Sequence, residues 1–492
     1  MMKRPALGLL AALLLSPGLF AQDAAPPAPA PSTVPAPSAG GSGEDEFFGS
    51  STIEATQGSA EIKNPAEAVE KEHVGLSGIL QGQGSYTMTR NFVQGHTGTS
   101  DNSLGNAMMG DFLVDARLQK GFRAFVDLNV SYLTGGAPLV HNFTLAAPLA
   151  TSAFIPPAGP TVPVVFAPGT TLLASENQTT FLDVKEFFVD FNATNTVYFR
   201  LGKQVLQWGT GYFWNPTDLI NIEHKSFTNL TALRDGVFGL RSDVVFAREF
   251  HLYTFLNLNA IQDISDVAFA ARSEFLVGAV EFGFSGWLKS DRLPVFGTDL
   301  TAPFFWSTNL TAEASFSWGE NQRMLNVDGV TTSAIRGRVV PKVDVGLSRT
   351  FDAFDVQDRI SVNVEFFYNG AGYDDNMFEK LSLNPVGLQT FFGGYYEAGY
   401  YGKYYAAFFV TVSKFILNEM TLSVSGLSDL SDSSGIAFVG LAYDPVNDFD
   451  LSLQVGTYLG PDNREYTASV NPTTGTLTNN QFFVTLGAKV SF

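Results

Sequence analysis

The chain ends in NQFFVTLGAKVSF, Asn480–Phe492. Read two residues at a time, one face carries Phe482, Val484, Leu486, Ala488, Val490 and Phe492, and the other Phe483, Thr485, Gly487, Lys489 and Ser491. A period of two is that of a β-strand, whose side chains alternate across the sheet. The same division recurs far upstream. Ile360, Val362, Val364, Phe366 and Tyr368 oppose Ser361, Asn363, Glu365, Phe367 and Asn369, and Phe122, Ala124, Val126, Leu128, Val130 and Tyr132 oppose Arg123, Phe125, Asp127, Asn129 and Ser131. One face is apolar throughout, and the other mixes small polar residues with a few ions.

A soluble antiparallel sheet also alternates, so a second criterion is needed. Charged residues make up 16% of the chain, below the roughly 25% of an ordinary soluble domain. Alternating segments such as 121–133 and 358–369 exceed the usual soluble strand of about 5–6 residues. They suit a tilted membrane-spanning strand of about 9–11 residues. The pattern therefore predicts an all-β fold, a transmembrane antiparallel up-and-down barrel occupying residues 75–492.

Its strands are expected near 76–89, 108–119, 121–133, 180–191, 196–207, 236–247, 251–260, 268–277 and 280–289. Others follow near 296–304, 309–319, 339–350, 358–369, 402–414, 419–428, 435–443, 448–459 and 481–492. That is 18 strands, with 16 left open because two hairpins between 262 and 308 are weakly marked. Alternate connections are short, as at Gln119–Gly121 and Phe415–Asn418, and the others long, as at 134–179 and 209–235. Short turns on one side and long loops on the other are what an outer-membrane barrel requires. An even strand number puts both chain ends on the short-turn, periplasmic side.

The N-terminus agrees with export. Lys3 and Arg4, an apolar run from Ala6 to Leu15 and the small residues around Ala21 have the order of a signal peptide, assigned to 1–21. Residues 22–74 read as a Pro/Ala-rich disordered linker followed by an acidic periplasmic segment. The whole chain holds 29 Lys+Arg against 48 Asp+Glu, a formal −19, which excludes the basic face a nucleic-acid binder needs. There is no cysteine, hence no disulfide, thiolate metal site or cysteine nucleophile. The five histidines are dispersed along the chain, with none of the clustering a hydrolytic base requires. Neither an enzyme nor a bound metal or cofactor is expected.

Two resemblances add to this reading. The final aromatic Phe492, with Val490 and Ala488 at alternate positions before it, resembles the C-terminal signal of Gram-negative outer-membrane barrels, which implies recognition by the barrel assembly machinery. The run from Arg200 through Leu201, Gly202, Lys203 and Gln204, followed by Trp208-Gly209, is similar to a strand of the alginate-export and related porin-like barrel families. That resemblance spans only Val197–Asn221 and implies an outer-membrane channel for small solutes, in a bacterium of Gram-negative type. It leaves the oligomeric state, homotrimer or single barrel, unassigned.

A wide barrel must be water-filled or plugged. The alternation places Asp115, Arg117, Arg123, Asp127, Glu186, Asp190, Arg200, Arg241, Asp243, Glu281, Glu313, Asp344, Glu365 and Lys489 toward the lumen, where rings of ions set selectivity. The third outer loop, 208–233, is expected to fold inward as the constriction. The expected constriction residues are Trp208, Tyr212, Trp214 and Asp218 from this loop with Arg200, Arg241 and Asp243 from the wall. Pro216-Thr217-Asp218 reads equally as the cap of a short helix, with the aromatics packing the loop on the wall. The acidic excess predicts a preference for cations. The apolar loop 134–179 keeps hydrophobic-substrate uptake open, and a surface adhesin with a closed pore is the remaining alternative.

Overall fold

The computed structural model describes residues 73–91, 100–118, 121–134, 142–144, 149–153, 162–166, 171–173, 178–194, 196–206, 208–220, 235–247, 250–259, 261–470, 475 and 477–492. The expected signal peptide, almost all of the linker and residues 221–233 of the inward loop lie outside them.

Eighteen strands form the barrel. They are β1 (His73–Asn91), β2 (Ser100–Arg117), β3 (Arg123–Thr134), β4 (Gln178–Thr194), β5 (Val197–Gln204), β6 (Val237–Ala247), β7 (Phe250–Asn257), β8 (Ala268–Val277) and β9 (Val280–Lys289). The second half comprises β10 (Val295–Phe304), β11 (Thr308–Gly319), β12 (Arg336–Ala353), β13 (Val356–Asn369), β14 (Tyr404–Ser413), β15 (Met420–Asp429), β16 (Ser434–Val446), β17 (Phe449–Leu459) and β18 (Leu477–Ser491). Each pairs antiparallel with its neighbour, and β1 closes the sheet on β18 with Gly84 opposite Leu486. The two weakly marked hairpins are real: β8–β9 and β10–β11 pair along their full lengths. The count is 18, which settles the question left open with 16.

Closure matters because lipid supplies no hydrogen-bonding partner for a free sheet edge. The chain's last residue completes it. Gly78 and Phe492 exchange both backbone hydrogen bonds, at 2.8 and 2.9 Å. A Cβ on Gly78 would stand 2.5 Å from the Phe492 ring, so the missing side chain is what lets the terminal aromatic lie flat on the first strand.

The outward face is greasy. Leu104, Met108, Leu182 and Leu486 are each more than half exposed. In all three stretches that decided the fold, the structure keeps the expected register. Val364 and Phe366 face out while Glu365 and Phe367 are buried inside, and Val130 and Tyr132 face out while Asn129 and Ser131 face in. Near the short-turn end an aromatic girdle runs across neighbouring strands: Phe122, Phe191 and Phe199 stack at 6.3 and 5.3 Å, and Phe246, Phe250 and Phe275 at 5.2 and 4.8 Å. Such belts sit at the membrane interface of a barrel.

The interior is divided. On β13–β18 it carries an apolar cluster of Phe367, Tyr405, Ala407, Leu427, Ile436, Phe438 and Phe483, beside the buried Glu365 and Asp429. On β2–β12 it is ionic. The outer end carries structured loops. Residues 370–403 include two helices, α1 (Met377–Lys380) and α2 (Pro385–Gly394). Their Phe378, Leu381, Leu388 and Phe391 pack with Leu325, Ala468 and Leu477 from neighbouring loops. The long apolar loop after β3 forms two ladders, 142–144 with 171–173 and 149–153 with 162–166.

Candidate functional site: a constriction inside the barrel

After β5 the chain does not rise over the rim but turns into the lumen. Leu206, Trp208 and Ile220 bury against Val237, Phe255 and Ala270 of the wall, anchoring both ends of the described inward segment 208–220. Between them Gly209 adopts φ +94°, and a Cβ there would lie 2.7 Å from Glu313 Oε2. The glycine of the Trp-Gly pair is thus needed for backbone to approach a wall carboxylate.

Two such carboxylates hold the segment. Glu313 on β11 accepts hydrogen bonds from the amides of Thr210, Gly211 (2.5 Å) and Thr217 (3.3 Å), the Thr217 hydroxyl (2.7 Å) and the Asn215 side-chain amide (3.2 Å). Glu365 on β13 accepts from the amides of Tyr212, Phe213 (2.7 Å) and Trp214 (3.3 Å). A loop buried in a barrel has backbone donors that no ladder satisfies, and these glutamates satisfy them with charge-assisted bonds. Aromatic stacking adds to the hold. Trp214 lies on Phe367 at 5.4 Å and 14°, and Tyr212 on Phe409 at 5.4 Å and 29°. The run Pro216-Thr217-Asp218 caps no helix; it forms a turn closed by the Asp218 amide on the Asn215 carbonyl at 3.0 Å. The Thr217 amide and hydroxyl are drawn to Glu313 and so do not serve a helix start.

The loop 370–403 clasps the segment from the outer side. Trp214 Nε1 donates to the Gly399 carbonyl at 3.0 Å, and Asn369 Nδ2 donates to the Tyr400 carbonyl. Between the two loops and the wall lies a cavity of about 170 Å³, bordered by Asn215, Asp218, Lys342, Glu397, Tyr400 and Tyr401 among others. Burial, then the charge of Glu397, pushes the Tyr400 phenol well above its ordinary value, so it stays neutral.

The sequence-derived constriction residues fall into two groups. Tyr212, Trp214 and Asp218 lie in the inward segment, with Tyr212 and Trp214 packed on Phe409 and Phe367 of the wall, and Trp208 anchors the segment's start. Arg200, Arg241 and Asp243 lie in the wall on β5 and β6, in an ion-paired belt. Arg200 chelates Asp190 at 2.6 and 3.0 Å and sits 3.8 Å above the Phe188 ring. Arg241 chelates Asp243 at 2.8 and 2.7 Å. Arg123 bonds Asp115 at 2.8 Å. Sequence reasoning missed the belt's next member, Arg272 of β8, held by Asp299 at 2.6 and 2.9 Å and by Glu274 at 2.8 Å. Alternation with outward Phe269 and Phe275 would have located it. Glu313 and Glu365 were placed in the lumen correctly, but nothing in their own strands marks them as partners of a loop distant in sequence.

No family model and no curated protein matches the chain. Solved structures that resemble it include OccAB1 of Acinetobacter baumannii, with 12% identity over 85% of this chain and 97% of that one and a TM-score of 0.46. OccK8 (OprE) of Pseudomonas aeruginosa shows 9% identity over 85% and 98%, with a TM-score of 0.45. OccK2 (OpdF) of the same organism, solved in complex with glucuronate, shows 10% identity over 85% and 98%, with a TM-score of 0.43.

Proposed function

We propose that this protein is an outer-membrane channel through which small hydrophilic solutes diffuse, with the inward segment 208–220 as its constriction. One observation carries the reading: backbone from an outer loop is drawn into the lumen and fixed there by Glu313 and Glu365. A barrel serving only as a surface scaffold has no need to narrow its interior, whereas a selective pore does. Each of Arg123, Arg200, Arg241 and Arg272 has a carboxylate partner, while Glu313 and Glu365 accept hydrogen bonds from backbone amides of the inward segment. That balance supports passage of cations over anions.

Signal peptide, lipid-facing strands and the terminal Phe492 support an outer membrane of Gram-negative type, with lipids and the barrel assembly machinery as partners. Among the described histidine side chains, His251 contacts the hydroxyl of Tyr253 at 3.3 Å. A second reading, hydrophobic-solute uptake, is favoured by the apolar half-wall on β13–β18.

The test is reconstitution of the full chain in planar bilayers. Discrete current steps, with a reversal potential in a salt gradient of the sign for cations, are expected. Absence of any step overturns the channel, and anion preference overturns the charge argument. Swelling of liposomes in sugars, set against uptake of a fatty acid, separates the hydrophilic from the hydrophobic pore.

A further inference from the structure

Two neighbouring turns at the short-turn end of the barrel go against the usual preference. The β10–β11 turn holds Trp306 at φ +55°, and the β12–β13 turn holds Phe354 at φ +51°. Hairpins ordinarily give such backbone to Gly, Asn or Asp, and a bulky residue there is an outlier. Both rings also stand in the open, Trp306 at 82% and Phe354 at 84% exposure. A side chain that is strained and exposed at once points to a use outside the chain's own packing.

Between these turns, on the outward face of β12, stands Arg349. Leu347 and Phe351, two residues to either side, are 42% and 38% exposed, and Val362 lies opposite on β13. Alternation therefore turns the arginine toward lipid with them. A cation on that face is costly at the bilayer midplane and tolerated near the interface. Arg349 precedes the last residue of β12, Ala353, by about 10 Å at the rise and tilt of barrel strands. Its guanidinium lies 4.5 Å over the Phe351 ring, nearer the turn, so the side chain carries its charge toward the interface.

Nothing in the wall answers that charge. Arg349 makes no hydrogen bond or ion pair among the described residues, and its Nε is covered without an acceptor. Arg359 of β13 likewise lacks an acceptor at Nε, lies 5.2 Å over the Phe354 ring and donates to the Lys414 carbonyl at 2.8 Å. Neither Arg359 nor Lys414 has an ion pair among the described residues. The acids of this hairpin pair with none of the three cations: Asp352 accepts from the Asp358 amide at 2.8 Å, and Asp355 sits at the tip beside Phe354. In the lumen, by contrast, Arg123, Arg200, Arg241 and Arg272 each have a carboxylate.

A planar guanidinium propped on a ring suits a phosphate held through parallel N–H bonds. Exposed aromatics suit the boundary between headgroups and acyl chains. We propose that Arg349, flanked by Trp306 and Phe354, binds the phosphate of a phospholipid in the leaflet at the short-turn end, with the acyl chains lying over Leu347 and Val364. The formal −19 of the chain opposes diffuse attraction of an anionic lipid, so retention of one reports a local site.

Lipid binding requires the membrane-spanning barrel and not an open pore, so it is read without any current. The full chain, purified in detergent and stripped of lipid, is titrated with phosphatidylglycerol, and bound lipid is counted by native mass spectrometry. Phosphatidylglycerol should be retained, and diacylglycerol, which lacks the phosphate, should bind about tenfold more weakly. Arg349→Gln should weaken phosphatidylglycerol by about the same factor, and Arg349→Lys by less, since the charge stays while the fork is lost. Phe354→Asn, a residue at ease in that turn, should leave the lipid-free barrel at least as heat-resistant and still weaken the lipid. Arg338→Gln, at the outer end of the same strand, should change nothing, and heat-modifiable gel mobility verifies that each variant folds. Equal binding of diacylglycerol, an Arg349→Gln variant that retains lipid like the wild type, or equal losses from Arg338→Gln overturn the site. Displacement of the lipid by inorganic phosphate at matched concentration overturns a phospholipid as its occupant.

Discussion

Replacing Glu365 by Gln tests whether wall carboxylates hold the constriction. Glu365 takes three consecutive amides, those of Tyr212, Phe213 and Trp214, on its two oxygens. A glutamine keeps one oxygen and turns an NH₂ toward at least one of these donors. The loss is one charge-assisted hydrogen bond and one buried N–H left without a partner, together about 2–3 kcal/mol. At 1.4 kcal/mol per factor of ten, the detached-to-attached ratio of the segment rises roughly 30- to 150-fold. Glu313→Gln strips a larger set of donors and should act in the same direction. The double variant should be less than additive, because the first detachment already frees the neighbouring residues. Single-channel recording in about 1 M KCl, where the Debye length is about 3 Å, suppresses the change in field and leaves the change in bore. The variants should show larger and noisier conductance with unchanged heat-modifiable mobility of the folded barrel. If the double variant conducts like the wild type with the same noise, the carboxylates do not hold the segment.

Arg200→Leu strips the buried Asp190 of its two-bonded guanidinium and leaves it only Arg123 at 3.6 Å, at a cost of about 2–3 kcal/mol; thermal unfolding followed on gels should shift down, and adding Asp190→Asn should recover part of the loss. Deleting Phe492 removes its exchange of backbone bonds with Gly78 and should reduce the folded barrel recovered from outer membranes. Gly78→Leu should do the same with the terminal residue intact, because its Cβ enters the space of the Phe492 ring. Trp214→Ala empties a fully buried site and, with an expected cost of about 3–5 kcal/mol, should raise conductance as the wall variants do.

The fold was legible because a barrel wall is built from local information. Each strand must present apolar groups to lipid and small polar groups to the lumen, so Val364 and Glu365, or Tyr132 and Ser131, announce their sides in a window of a few residues. The weakly marked stretch 262–308 obeys the same rule with Arg272 and Asp299 among its inward positions; what obscured it was outward residues such as Ala302 and Ser273, too small to register as apolar. The constriction was half legible. Aromatics crowded beside glycine after β5 pointed to Trp208, Tyr212 and Trp214. Their partners could not be read, because Glu313 and Glu365 meet this loop only after the sheet has closed.

The lumen's carboxylates do two different kinds of electrostatic work, and the formal −19 of the chain does not distinguish them. Asp190, Asp243 and Asp299 are matched by guanidinium groups, so beyond a few ångströms each pair is a dipole with little field. Glu313 accepts from amides and a hydroxyl, and Glu365 from three consecutive amides, donors that meet hydrogen-bonding needs without cancelling an ionised carboxylate's charge. On the channel reading proposed above, the groups that hold the segment would also set the field beside it. Salt separates the two roles: in glutamine variants, loss of cation preference should be greatest in dilute electrolyte and fade as screening grows, whereas an enlarged bore should persist at every concentration.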